Sequence, residues 1–241
     1  GTRRCSAYGR EAARRIARGL ATAGAVVVSG LARGVDGAAH EAAGPARTIG
    51  VLGNGLDVVF PREHRALQAA IGREGLLVSE QPPGTPPVGF HFPRRNGIIA
   101  GLSRACVVVE APARSGALST AARTRELGRD VFAVPGPVDA PTSAGANALI
   151  RDGAVLVTGA REVLAALGLP PPPPGAEEDL PPDGLEGQGL ALWRALDRAP
   201  RHVDAIAADV GLDPHHSLAS LLSLEVQGHA RQLPGFRFAR A

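Results

Sequence analysis

The sequence predicts a Rossmann-like, doubly wound α/β domain with a mostly parallel sheet, plus a small C-terminal winged-helix domain. Short, fully apolar strands alternate with helices over the first two thirds of the chain, the pattern of a parallel sheet covered on both faces. Gly-rich turns recur where those strands end, which is where such sheets hold ligands. Five consecutive prolines, 170–174, close the pattern, and a compact helical segment follows.

Taken in order, Gly1-Thr2-Arg3-Arg4 reads as a loop that has lost the strand before it. A helix follows with Ala13, Ile16, Ala17, Leu20 and Ala21 on one face. The apolar run 25–28 is a strand that stops at Ser29-Gly30. Helices are then expected over 35–43, 63–71, 96–102, 118–127, 146–150 and 161–167. Strands fall between them at 48–52, 76–79, 106–110, 130–134 and 154–157. Together these make one domain over 1–169. The acidic, Pro-rich stretch 170–189 reads as a linker. The segment 190–241 reads as the winged helix, with helices over 190–196, 203–210 and 218–226 and a hairpin turning at Pro234-Gly235. No Arg occurs from Ser217 to Gly228, so its third helix suits protein contact better than duplex DNA.

Composition narrows the function classes. The 241 residues are 44% hydrophobic and 20% charged, which is globular rather than disordered. All 26 basic residues are Arg, so every permanent cation is a planar bidentate donor. Aromatics are only 3%, which argues against an extended base-stacking platform. Cys5 and Cys106 have no metal spacing, and Cys106 opens an apolar run as a buried strand residue would. No metal and no cofactor are expected. No apolar run reaches membrane-span length and no signal peptide is visible, so the expectation is a cytoplasmic protein without membrane contact.

Four turns carry the candidate chemistry. In SGLARGVD, Ser29, Gly30 and Gly34 let backbone N–H groups converge ahead of a helix start, and Arg33 adds a bidentate phosphate donor. Asp36 closes that motif, with helix capping as its plainer role. Gly53 and Gly55 form a second turn, and Arg94, Arg95 and Asn96 a third. The fourth offers Arg114, Ser115, Gly116, Ser119 and Thr120. Neither a GxGxxG nor a GxxxxGK[ST] spacing is present, so standard dinucleotide and Walker sites are disfavoured. Four anion-competent turns on one sheet edge point to a phosphate-rich ligand. Two further turns, at Val134-Pro135-Gly136 and Gly145-Ala146-Asn147, are expected to shape that edge.

Six ordered motifs resemble the DprA/Smf (DNA-processing A) family. They are SGLARGVD from Ser29, GNGLD from Gly53, FPRRNGIIAGLS from Phe92, EAPARSGALSTA from Glu110, GRDVFAVPG from Gly128 and GANALIRDGA from Gly145. The resemblance implies a non-enzymatic cytoplasmic protein that binds single-stranded DNA during natural transformation. It also implies protection of that strand, loading of the RecA recombinase, and homodimerisation. By the same resemblance, Arg33 and Arg114 sit in the DNA groove. One departure is Gly97, where the family usually has Arg. Some family members also carry a helical domain and a first sheet strand ahead of the position of Gly1.

The competing class is a nucleotide phosphoribohydrolase of the related LOG family. Its PGGxGTxxE motif is missing here: the matching turn reads SGALST from Ser115, with Glu126 out of place. Glu110 has no acidic partner and reads as a hydrogen-bond anchor. His40, His64 and His91 show no triad order. No catalytic residues are assigned.

Overall fold

Residues 1–172, 181, 185–197 and 199–240 are described by the computed structural model. The chain divides into two compact units, Gly1–Asp179 and Leu180–Ala241.

The first unit begins with α1 (Ala7–Thr22), capped where the Ser6 hydroxyl accepts from the Gly9 N–H. Then come β1 (Val27–Ser29), α2 (Val35–Ala43), β2 (Thr48–Leu52), α3 (Arg65–Glu74) and β3 (Leu76–Ser79). The second half runs α4 (His91–Leu102), β4 (Ala105–Val108), α5 (Gly116–Glu126), β5 (Asp130–Ala133), α6 (Ala144–Arg151), β6 (Val155–Leu156) and α7 (Ala160–Ala166).

Every strand pair in this unit is parallel, in the orders β1-β2-β3 and β4-β5-β6. Period-2 alternation covers both faces, as a doubly wound fold requires. Val109, Phe132 and Val134 face a core with Ile16 of α1, Val35 of α2 and Val163 of α7. Val108, Val131 and Ala133 face the other way, onto Ala121 of α5 and Ala146 of α6.

The parallel strands of this unit form two three-stranded sheets. A cavity of about 520 Å³ adjoins the facing edges, lined by Val27 and Val28 on one side and Ala105 and Val107 on the other. Among the described residues no strand pairs with both β1 and β4. The helix expected from Asn96 starts five residues earlier, at His91. Pro93 suggested a loop, yet proline is tolerated in a first helical turn, where its missing N–H would have had no partner.

In the second unit, α8 (Gly187–Ala195), α9 (Val203–Val210) and α10 (Pro214–Val226) surround Leu192, Trp193, Ile206, Leu221 and Phe238. The antiparallel sheet has the order β7-β9-β8, from Arg201–His202, Arg237–Arg240 and Ala230–Leu233. The Arg240 guanidinium lies 4.2 Å over the Trp193 ring. Helix α8 begins inside the expected linker, and the residues at 173–180 and 182–184 of that linker lie outside the described residues.

Candidate nucleic-acid interface

The loop from β1 to α2 is tied down by its own side chains. The Asp36 carboxylate accepts from the Gly30 N–H (3.1 Å) and the Ala32 N–H (3.4 Å). The Leu31 N–H donates to His40 Nε2 (3.3 Å). So three N–H groups expected to form a phosphate nest already have acceptors, and Asp36 shapes the loop rather than meeting an anion. Gly34 is needed for its backbone: φ is +74°, and a Cβ there would lie 2.4 Å from the Thr2 carbonyl oxygen. What the loop presents outward is Arg33, with a side chain 63% exposed that holds the Glu63 carboxylate through Nε and Nη2.

His40 is the buried pin of this arrangement. Its Nδ1 donates to Thr48 Oγ1 (2.5 Å), whose hydroxyl donates on to the Val27 carbonyl (2.9 Å). With Nε2 accepting, the neutral ring is fully used, and burial pushes its pKa from the usual 6.5 down to about 4. The unfolded chain therefore binds a proton that the folded one refuses. Stability from this group is complete above pH 6.5 and is lost as pH falls towards 4, at up to about 1.4 kcal/mol per pH unit. Urea midpoints measured between pH 7 and pH 4.5 should fall in the wild type and fall less steeply in His40→Gln.

Arg95 is also turned inward, against the expectation that it meets ligand. It is 6% exposed, and its Nη1 donates to the carbonyls of Gly30 and Val51 (2.6 Å each) while Nε reaches Asn96 Oδ1 (3.3 Å). Asn96 passes the link on, donating from Nδ2 to the Gly116 carbonyl (3.1 Å). These two residues brace the loops, and the Arg95 guanidinium is taken up by that bracing. Gly55 belongs to the framework as well, since its N–H donates to Thr85 and Asp57 accepts from the Gly84 N–H. Arg94 is exposed on α4 and lines neither of the cavities below.

A groove of about 920 Å³ gathers most of the remaining candidates. Arg114, Ser115, Gly116, Ser119 and Thr120 line it, from the start of α5, where Ser115 Oγ caps the Ala117 N–H (3.2 Å). Ser29, Arg95 and Asn96 line it too. So do Arg3 and Arg4, which the sequence reading left as a mere loop. The only signal available for them in the sequence is a pair of adjacent cations, 25 positions ahead of the first motif. A smaller cavity of about 120 Å³ lies next to Arg33, bounded by Gly30, Gly53, Phe60 and Phe92. The two flanking turns are joined to each other: Asn147 exchanges two hydrogen bonds with the Gly136 backbone (3.1 and 3.0 Å).

Residues 1–168 match the family model described as DNA recombination-mediator protein A, and 169–235 match the DprA winged helix domain. This chain belongs to the DprA family. It is 43% identical to the putative DNA processing protein DprA of Mycobacterium tuberculosis, with the whole chain aligned to 64% of that protein. It thus spans somewhat under two thirds of that relative's length. The X-ray structure of DprA from Streptococcus pneumoniae matches with a TM-score of 0.64 at 47% identity, over 68% of this chain and 59% of that one. DprA of Helicobacter pylori, studied for its single-stranded DNA binding mode, matches with a TM-score of 0.64 at 32% identity, over 69% of this chain and 77% of its own.

Glu110 and Glu126, the two carboxylates weighed for an enzymatic role, both have partners within the fold. Glu110 is buried and accepts from the Ser6 N–H (2.9 Å), the Ser6 hydroxyl (2.5 Å) and the Thr142 hydroxyl (3.3 Å). Glu126 is exposed and held by Arg123 (2.8 Å). Gly97, where the family resemblance expects Arg, leaves open space around a would-be side chain. Among the described residues no cluster of His, Cys, Asp and Glu could hold a metal, and no helix is long and apolar enough to cross a membrane.

Proposed function

We propose that this chain binds single-stranded DNA along the groove between α5 and the Arg3-Arg4 loop, and does so without catalysing a reaction on it. The observation that carries this reading is the groove's chemistry. Three exposed arginines, the Ser119 and Thr120 hydroxyls and the positive end of α5 line one channel. In the proposed mode the strand's phosphates take the arginines, and Arg33 extends the track once phosphate displaces Glu63. Exposed ion pairs of that kind are weak and exchange readily. A native-gel comparison of single- and double-stranded oligonucleotides tests the reading: the single strand should shift at lower protein concentration, and absence of any shift with it would refute the proposal.

The finer role rests on the family resemblance: protecting the strand in the cytoplasm during natural transformation and loading the RecA recombinase onto it, as a homodimer. A surface suited to self-association exists at the β6 edge, where Val155 and Leu156 are 51% and 49% exposed. Residues 1–169 alone should sediment as a dimer at micromolar concentration. The same fragment should bind single strands within several-fold of the full chain, because the third helix of the winged helix, α10, carries no Arg. A hundredfold loss would place the main grip in the tail. Faster assembly of recombinase filaments on strands pre-coated with this protein is the test of the loading role.

A further inference from the structure

We propose that the bound single strand leaves the groove along α1, where Arg10, Arg14 and Arg18 form a ladder for successive phosphates. The proposal rests on the single-strand reading and extends its footprint beyond the groove.

Helical spacing sets the ladder. Residues four apart in a helix are offset by about 40° and rise about 6 Å, so the three arginines make one stripe about 12 Å long. The opposite face of α1 carries Ala12, Ala13, Ile16 and Ala17 into the core, which turns the stripe to solvent. Arg10 is exposed, while Arg14 and Arg18 are half-buried, the state of side chains whose stems lie on the protein and whose heads reach water. Among the described residues none of these three side chains makes an ion pair or a hydrogen bond. Arg15 differs: it turns to the flank of the helix and donates to the Thr158 carbonyl (2.7 Å).

An outer face that serves only solubility mixes its charges, as α5 does in pairing Arg123 with Glu126 (2.8 Å). Helix α1 instead has four arginines and one glutamate, Glu11. Like charges at i and i+4 repel and destabilise a helix. A line of anions laid along the stripe removes that repulsion, and a strand held in the groove is such a line.

Chain geometry joins the ladder to the groove. Arg3 and Arg4 line the groove and lead through Cys5 into Ser6, the cap of α1. Ser6 holds Glu110 through its N–H (2.9 Å) and its hydroxyl (2.5 Å), and Glu110 also accepts from Thr142, another groove residue. The N-terminus of α1 is thus fixed at the groove wall. From there the helix runs away toward the amino end of the sheet, where the chain turns into β1 at Val27. A strand that passes Arg4 therefore meets Arg10, Arg14 and Arg18 in that order.

The test titrates the full chain with oligo-dT of increasing length, by fluorescence anisotropy at several salt concentrations. The variant carries Arg10→Gln, Arg14→Gln and Arg18→Gln together, since Gln keeps the helix propensity of Arg. Its affinity for the shortest strands that bind should equal that of the wild type. On long strands it should bind more than tenfold more weakly, with a salt slope shallower by about 2, the contribution of three phosphates. A control with the same loss of charge, Arg73→Gln, Arg194→Gln and Arg231→Gln, should keep wild-type affinity at every length. All three of its sites are exposed and lie on other elements. Unchanged long-strand affinity, an equal loss at every length, or a matching loss in the control would overturn the ladder and leave the groove in place. Failure of the wild type to bind any strand would overturn the groove reading, and the ladder with it.

Discussion

Replacing Arg33 or Arg114 with Ala should weaken binding to poly-dT about ten- to a hundredfold, the usual range for losing one charge-assisted hydrogen bond to phosphate. Each substitution should also flatten the plot of log affinity against log salt by about 0.7, the contribution of one neutralised phosphate on a single strand. Both side chains are exposed, so neither change should disturb the core. Base preference should stay as it is, because phosphate contacts carry no sequence information. Arg33 has a converse arm. It is held by Glu63, and phosphate must displace that carboxylate. Glu63→Gln should therefore tighten binding several-fold at low salt, and the gain should vanish in the Arg33→Ala background. Anisotropy titrations of the wild type and these four variants measure all of this. Unchanged affinity and slope in both Arg variants would move the strand off this edge.

How far the sequence reached depended on how local each determinant is. The elements over 35–43 and 48–52 were legible to the residue, since the strand is a short apolar run and the helix is bounded by Gly34 and Gly44. The start of α4 was not, because Pro93 reads as a breaker unless the helix is known to begin just before it. Strand β7 escaped notice too. It is two residues long, carries no apolar pattern, and exists only because Arg201 and His202 pair with β9. The same rule governs the site. That four turns meet on one edge could be argued from the alternation of strands and helices. Which way an arginine points could not. Arg33 finds its partner 30 positions away, and Arg95 finds the carbonyl of Gly30 at a distance of 65. The Phe60–Phe92 pair is likewise a product of the fold, invisible in a composition with 3% aromatics.

Arg95 offers the sharpest contrast with the DNA-facing arginines. Arg95→Ala should destabilise the protein by about 3 kcal/mol or more and leave the salt slope of the remaining folded protein unchanged. Its guanidinium joins β1 and β2 at their carboxyl ends by donating to Gly30 and Val51 from one nitrogen. Truncation would leave both carbonyls buried without that donor, a cost of about 1–3 kcal/mol for each group left unsatisfied. It would also remove a positive charge that helps hold Asp36 ionised, the carboxylate that fixes the Gly30 and Ala32 N–H groups. Weakening the compensation of a buried charge adds to that cost. Lys is no full substitute, since it has no second nitrogen to take over the Nε–H contact with Asn96. Chemical unfolding gives the stability, and a titration at a temperature where the variant is folded gives the slope. A variant of wild-type stability with a slope shallower by about 0.7 would mean that Arg95 faces the strand after all.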